Sequence, residues 1–372
     1  MQKTVIVSVT NDLVTDQRVD RTCQTLLQQG FRVVLVGRYL KNGIALDDRP
    51  YACHRMHLMF RKGPLFYAEF NIRLLLLLLI RKSQLLVSND LDTLAANYLI
   101  HKIKGIPVVF DSHEYFTGVP ELQDRPFPRK VWKAIERWIF PKLEHTITVN
   151  DSIASLFEQE YGQRPRVVRN LPQRIEAPVI IERSILRLPQ GRPLLLMQGS
   201  GINVRRGAEE AVMAMQYLPD TNLLIIGGGD VMPRLHELVT RLDLEDQVYF
   251  LPRMPHTELV KFTAAADIGL SLDKGDNINY RFSLPNKLFD YIQARIPVLG
   301  SDLPEVRRII ETYEIGEISE NHDPAHIAHK IKTMLSDPEK TAFWKEKLNI
   351  AASELCWENE APVLRDVFRP FI

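Results

Sequence analysis

Short apolar runs alternate along the chain with longer segments whose apolar residues recur at helical spacing. Residues 5–9, 32–36, 85–88, 108–110 and 146–149 read as strands, and residues 19–29, 94–104 and 129–143 as helices between them. The first helical pattern stops at Gly30, where a helix end is expected. Strand and helix in strict alternation predict βαβ units, hence a parallel sheet with helices on both faces. From Leu171 to Pro193 the period is lost and Pro172, Pro178, Pro189 and Pro193 accumulate. That stretch reads as a linker over residues 176–193. The pattern restarts with a strand at 194–198, a long helical stretch to Tyr217, and strands at 223–227, 248–251, 268–272 and 297–299.

The expected architecture is α/β, with an N-terminal domain over residues 1–175 and a second over 194–355. Residues 338–372 are helical in pattern, with Trp344 and Trp357 as apolar anchors. The final helix, 356–372, is free to return to the first domain. In sheets of this kind ligands bind beyond the carboxyl ends of the strands, so the two sets of strand ends are expected to face a shared cleft.

Two apolar runs bear on location. Residues 4–9 follow Met1-Gln2-Lys3 and end in Thr10-Asn11-Asp12, too short for a secretory core, and read as a buried first strand. Leu74–Ile80 lies between Arg73 and Arg81-Lys82 and falls far short of the roughly 20 residues a bilayer requires. It predicts a buried helix. At 372 residues the chain suits two cores, and 45% hydrophobic with 25% charged residues is the balance of a soluble globular protein. Cys23, Cys53 and Cys356 are odd in number and far apart, which argues against a disulfide framework and for a reducing cytoplasm. The net charge of +1 hides an asymmetry. Residues 1–180 carry 25 Lys+Arg against 18 Asp+Glu, or +7, and the remainder 22 against 28, or −6. The first half is therefore the one poised for anionic surfaces or substrates.

Four segments carry candidate chemistry. Gly199-Ser200-Gly201, leading through Arg205-Arg206-Gly207, follows a strand and opens a helix. Backbone approach, a helix N-terminus and two forked cations there suit a diphosphate, with a plain turn bearing surface arginines as the alternative. Gly227-Gly228-Gly229-Asp230 also ends a strand, either as a nucleotide contact at Gly228 or as a sharp turn with Asp230 as N-cap. In Ser283-Leu284-Pro285-Asn286-Lys287 a proline near the first helical turn, exposed amides and Lys287 make a second anion site. Asp290, one turn on, is placed to reach ribose hydroxyls or simply to be solvated. Asp111-Ser112-His113-Glu114 follows a strand, but no second histidine at ligand spacing accompanies His113, so no metal is expected. A serine nucleophile elbow is absent, and Thr10-Asn11-Asp12 lacks the glycines of a dinucleotide-binding turn. Arg129, Lys130, Lys133 and Arg137 share a helical face beside Phe127, Trp132 and Trp138. This suits an anionic membrane carrying a lipid-linked acceptor, although a solvated basic face with buried tryptophans fits so short a stretch better. No nucleic-acid-binding module appears.

In order and spacing these segments resemble, over nearly the whole chain, the retaining GT-B glycosyltransferases of family four (glycosyl transferases group 1). Asn11-Asp12 with Asp16-Gln17-Arg18 is similar to the family's opening loop, Asp111–Glu114 to its acceptor-side segment, and Val168–Pro172 to the end of its first domain. Arg206-Gly207 with Glu209 is similar to the start of the first donor-domain helix, and Pro285–Tyr291 with Pro297-Val298 to the donor signature. Of the two glutamates common in that signature, the first falls on Phe282 and the second on Asp290. The family's donor-loop arginine falls on Ser200.

The resemblance implies two Rossmann-like domains and transfer of a sugar from a nucleotide-sugar, a UDP-sugar first, with retention and without metal or cofactor. Acceptors of the class are sugars, lipid-linked glycans or small molecules, handled in the cytoplasm or peripherally on the inner membrane face. It assigns Arg206 and Lys287 to the leaving diphosphate, His113 and Glu114 to orientation of sugar and acceptor, and Asn11, Asp16 and Arg18 to the acceptor side. Gly199, Ser200, Gly201, Arg205, Gly228, Ser283, Leu284, Pro285, Asn286 and Asp290 are assigned to the donor, with Arg253-Met254 flanking the base. A sugar-nucleotide epimerase and a catalytically silent nucleotide-sugar-binding subunit are the alternatives.

Overall fold

The computed structural model describes every residue except Met1, Thr15, residues 42–45, Asp47 and Ile180. The chain divides into two compact units, Met1–Asn170 with Glu360–Ile372, and Leu171–Asn359.

The first unit is built on a seven-stranded parallel sheet. Its strands are β1 (Thr4–Ser8), β2 (Arg32–Arg38), β3 (Ala52–Met56), β4 (Leu85–Asn89), β5 (Val108–Ser112), β6 (His145–Thr148) and β7 (Arg166–Val167). They lie in the order 3-2-1-4-5-6-7, so the winding reverses between β1 and β4. Val5, Ile6 and Val7 are all fully buried, because helices cover both faces of a parallel sheet and leave no polar side. The two strands that the apolar pattern does not announce, β3 and β7, are the edges. Edge strands need only one apolar partner, and β3 carries Cys53, His54 and Arg55 in its middle.

The second unit repeats the plan with β8 (Leu194–Gly199), β9 (Asn222–Gly227), β10 (Val248–Leu251), β11 (Ile268–Ser271), β12 (Val298–Ser301) and β13 (Gly316–Ser319). Their order is 10-9-8-11-12-13, again with a reversal, here between β8 and β11. The two-residue strand period divides its core. Leu195, Met197, Leu223 and Ile225 face one helical layer with Trp344, and Leu194, Leu196, Leu224 and Ile226 face the other with Tyr291.

Four expectations need correction. The long helix to Tyr217 is only Ala208–Ala214 plus a 3-10 turn, because residues 200–207 are spent on a loop. The proline-rich stretch is no free linker. Leu171 and Leu188 are buried in the second unit's core, and Arg183 donates to the Ala265 carbonyl and pairs with Asp267 at 2.7 Å. The tail divides at 359/360. Pro338–Glu354 packs on the second unit through Trp344 and Leu348, whereas Glu360 takes the Arg169 amide at 3.0 Å within the first. The helix Pro64–Ile80 is buried along only one stripe, Phe66, Phe70, Leu74 and Leu78, while Leu76, Leu79 and Ile80 are exposed.

Candidate active site

At the reversal of the first sheet, the ends of β1, β4 and β5 deliver Thr10-Asn11, Asn89-Asp90 and Asp111-Ser112-His113. Asp90 adopts φ +58°, a conformation that costs a non-glycine residue about 1–3 kcal/mol and persists only where surroundings enforce it. Those surroundings are on hand. Its amide donates to the Asp111 carbonyl at 2.9 Å, and its carboxylate accepts the His113 amide at 2.8 Å instead of capping its own helix. The His113 ring then sits with Nδ1 3.6 Å from Asp90 and Nε2 3.1 Å from the Asn89 amide oxygen and 3.6 Å from Asp111.

Behind Asp111 stands Arg18, 4% exposed. Its Nε and Nη2 fork onto the carboxylate at 3.2 and 2.6 Å, and its Nη1 donates to the Val168 carbonyl at 2.7 Å. Burial opposes ionisation of Asp111, but Arg18 and His113 outweigh it and hold the carboxyl well below the usual carboxylate range. Burial likewise favours a neutral His113. Asp90 and Asp111 reverse that and push its pKa up to about 9. Desolvation raises its neighbours Glu114 to about 8 and Asp92 to about 7, each with help from Asp90. The pocket therefore presents a cationic imidazole and protonatable carboxyl groups at neutral pH.

That assignment predicts the His113 imidazole resonances to titrate with a midpoint near 9, against about 6.5 for a free histidine. The sign follows for stability. His113 contributes fully below about 6.5 and loses its contribution as pH rises through about 9. A midpoint at the free value in a histidine NMR titration contradicts it.

The assigned acceptor-side residues build this pocket more than they line it. Asn11 donates to Asp16 at 2.7 Å, and Asp16 caps the helix Gln17–Gln28 by accepting the Val19 amide at 3.0 Å. Arg18 is committed to Asp111. Asn89, Asp90 and Asp92 belong to no motif in the sequence. Their only signal was position, at the carboxyl end of a strand beside the reversal.

In the second unit four segments meet around one buried anion. Asp273, fully buried just beyond β11, lies 3.1 Å from Arg206 Nη1 and 3.1 Å from Lys287 Nζ. Arg206 stacks on the Tyr280 ring at 4.2 Å, and its Nε has no hydrogen-bond partner. Two cations thus share one carboxylate, leaving positive charge for an anionic ligand. Glycines set the spacing. Gly207, at φ +76°, carries the chain past the Leu272 carbonyl, into which a Cβ would run. Gly227, at φ +143°, lies against the Gly199 carbonyl for the same reason. Asp230 is not an N-cap. It accepts the Val204 amide at 3.0 Å and ties the loop after β8 to the loop after β9, while Val231 occupies the cap position.

The other assigned residues divide. Pro285 is the N-cap residue of the helix Asn286–Ala294, which places Lys287 in its first turn. Asp290 is not simply solvated: Gln198 Nε2 donates to one oxygen at 2.9 Å and His256 Nε2 lies 3.2 Å from the other. Arg253 lies over Gly228, while Ser200 and Gly201 are open to solvent. Arg205 points away to Asp276 at 3.5 Å. Ser283 spends its amide and hydroxyl on the Tyr280 carbonyl, and Leu284 and Met254 pack on the core. A cavity of about 590 Å³ beside β12 and β13 is lined by Arg281, Arg307, Glu320 and His322, and by none of the assigned residues. Among the described residues no three His, Cys, Asp or Glu side chains are grouped to hold a metal ion.

Comparison with known proteins agrees with this fold. The family model described as Glycosyl transferases group 1 matches residues 180–349, and that described as Glycosyltransferase Family 4 matches residues 16–171. A D-inositol 3-phosphate glycosyltransferase of Xylanimonas cellulosilytica is 23% identical over 50% of this chain and 44% of its own. An uncharacterized glycosyltransferase of Haemophilus influenzae is 26% identical over 38% of each. The matched stretches thus span less than half of these relatives. Among solved structures, a sucrose-phosphate synthase of Thermosynechococcus elongatus superposes with a TM-score of 0.83, at 17% identity and 99% coverage of both chains. Anabaena HepE, solved in complex with UDP, gives 0.72 at 14% identity and 99% coverage of both. At such identities the structures establish a shared fold, the GT-B arrangement of two parallel-sheet units.

Proposed function

The chain belongs to the glycosyltransferases of the group 1, family 4 type, and from that premise we propose that it moves a sugar from a UDP-sugar to an acceptor hydroxyl, with retention of anomeric configuration and without a metal ion. The observation that carries the proposal is the convergence of Arg206 and Lys287 on buried Asp273. Breaking an anomeric carbon–phosphate bond leaves negative charge on the diphosphate. Fixed cations that need no reorganisation stabilise it most effectively. As the anomeric C–O bond breaks, the acceptor oxygen bonds to the same carbon on the same face, and its proton passes to the departing phosphate oxygen. No protein base is required. His113, held protonated by Asp90 and Asp111, fits a role in orienting sugar hydroxyls and not in taking a proton. Asp290 keeps accepting capacity beyond its bonds to Gln198 and His256, and we assign it to the ribose. The choice of uridine draws support from Anabaena HepE, of like fold, which has been solved with UDP and with UDP-glucose. The acceptor we place among glycans, glycolipids and small sugars, in a reducing compartment compatible with three free cysteines.

A thermal-shift panel of UDP, GDP, ADP, CMP and their common sugars, with and without magnesium, tests the donor assignment. UDP and its sugars are expected to raise the melting temperature equally in both conditions. A flat response in folded protein removes the donor site, and a shift that needs magnesium removes the metal-free mechanism. Conversion of the donor with no acceptor present would identify an epimerase.

A further inference from the structure

The helix Pro64–Ile80 is apolar on both sides. Phe66, Phe70, Leu74 and Leu78 face the sheet, and on the opposite side Leu65, Ile72, Leu76, Leu79 and Ile80 are 59, 59, 53, 38 and 83% exposed. Steps of seven, four and three residues put Leu65, Ile72, Leu76 and Leu79 on one stripe. A surface helix of a soluble domain normally turns charge outward, and a continuous exposed apolar strip marks a contact. Bases frame it: Arg61 and Lys62 before the helix, Arg73 at its middle, Arg81 and Lys82 at its end, all exposed. Between residues 57 and 82 the only acid is Glu69. Its carboxylate is consumed by the Met59 and Phe60 amides at 2.9 Å and by Arg73 at 2.8 Å. Those bonds pin the preceding loop with Met59 75% and Phe60 40% exposed.

We propose that this stripe, with the Met59-Phe60 loop, docks flat on an anionic lipid bilayer, apolar side chains in the interface and bases on the headgroups. The charge pattern selects that occupant. A twofold contact with a second copy would crowd the bases at the two ends of the helix, Arg61, Lys62, Arg81 and Lys82, from both copies into one interface, whereas anionic headgroups neutralise them. The helix lies on the surface and does not cross it, since no helix among the described residues is long and apolar enough to span a membrane. The basic helix that the sequence singled out is the poorer candidate. In Pro126–Ile139, Lys133 is neutralised by Glu136 at 2.6 Å and Glu160 at 2.5 Å, Arg137 lies 3.7 Å from Glu160, and Trp132 packs on Tyr67 and Phe116.

The proposal goes beyond the transferase reading and is tested apart from it, by sedimenting the full-length chain with vesicles of equal phosphatidylglycerol and phosphatidylcholine, or of phosphatidylcholine alone. The wild type is expected to bind the anionic vesicles at least about tenfold more tightly than the neutral ones. I72Q/L76Q, and separately R61E/K62E, are expected to lose about tenfold or more in affinity, and R129E/K130E to bind as the wild type does. These positions are exposed, so the folds persist. Melting curves check that, and an unchanged UDP-induced shift in each variant keeps the donor reading separate. Binding that ignores lipid charge, binding retained by I72Q/L76Q, or a dimer that I72Q/L76Q converts to monomer while the wild type ignores vesicles would each overturn the proposal.

Discussion

Arg206→Ala is expected to lower turnover by about two to three orders of magnitude, the loss typical of removing one preorganised donor from a developing anion. Three features place Arg206 at that level. It is fixed by Asp273 at 3.1 Å and by the Tyr280 ring, so it costs no reorganisation when the leaving group charges. Its side chain remains 28% exposed, which leaves the guanidinium open to phosphate oxygens on the side away from Asp273. With Ser200 where the family's donor-loop arginine falls, the leaving-group charge in the proposed mechanism rests on Arg206 and Lys287. Arg206→Lys keeps the charge but loses the fork and the stacking, and should recover only part of the rate. Lys287→Ala is expected to act in the same direction. Because both cations share the Asp273 carboxylate and are proposed to share one diphosphate, the double variant should fall short of the product of the single effects. Steady-state kcat/KM on a UDP-sugar, with UDP affinity by calorimetry, measures all of this. A near wild-type rate for Arg206→Ala sinks the assignment.

The second large effect is on stability. Arg18→Met is expected to cost about 3–5 kcal/mol, because it takes the forked guanidinium from Asp111, 1% exposed, and leaves only the His113 imidazole at 3.6 Å. In a domain of this size that lowers the melting temperature by on the order of ten degrees. The pH dependence separates this cause from loose packing. The folded pKa of Asp111 is depressed, so its contribution is complete above the unfolded aspartate value of about 3.9 and is lost as pH falls through the folded value. The gap between wild type and Arg18→Met should therefore be widest at neutral pH and close in acid. Melting curves across that range show it, and a gap of constant size would mean that the ion pair is not what is lost. Arg18 also opposes protonation of His113, so the variant should push the His113 midpoint higher still.

Much of the fold is legible in the sequence. The apolar runs over residues 5–9, 85–88 and 223–227 are local facts: a parallel strand covered on both faces is apolar along most of its length, and runs so short are typical of strands. Likewise Gly207 and Lys287 announced themselves, one by the turn chemistry a backbone reversal demands and the other by a charge set at a helix start. Other readings failed because they depended on what lies across the fold. Leu74–Ile80 reads as buried from its own composition, yet a helix has two sides, and only its neighbours determine which is covered. Arg18 looked like a residue for a substrate until Asp111, 93 positions away, took its guanidinium. Asp290 looked free until Gln198 and His256 reached it. Asp273 and Asp90 carried no motif, since a lone carboxylate gains meaning only from the cations or imidazole brought to it. Periodicity and turn residues act between near neighbours and so are written in the chain. Ion pairs, titration and exposure arise between residues distant in sequence, and only the packed sheet ends bring those within reach of one another.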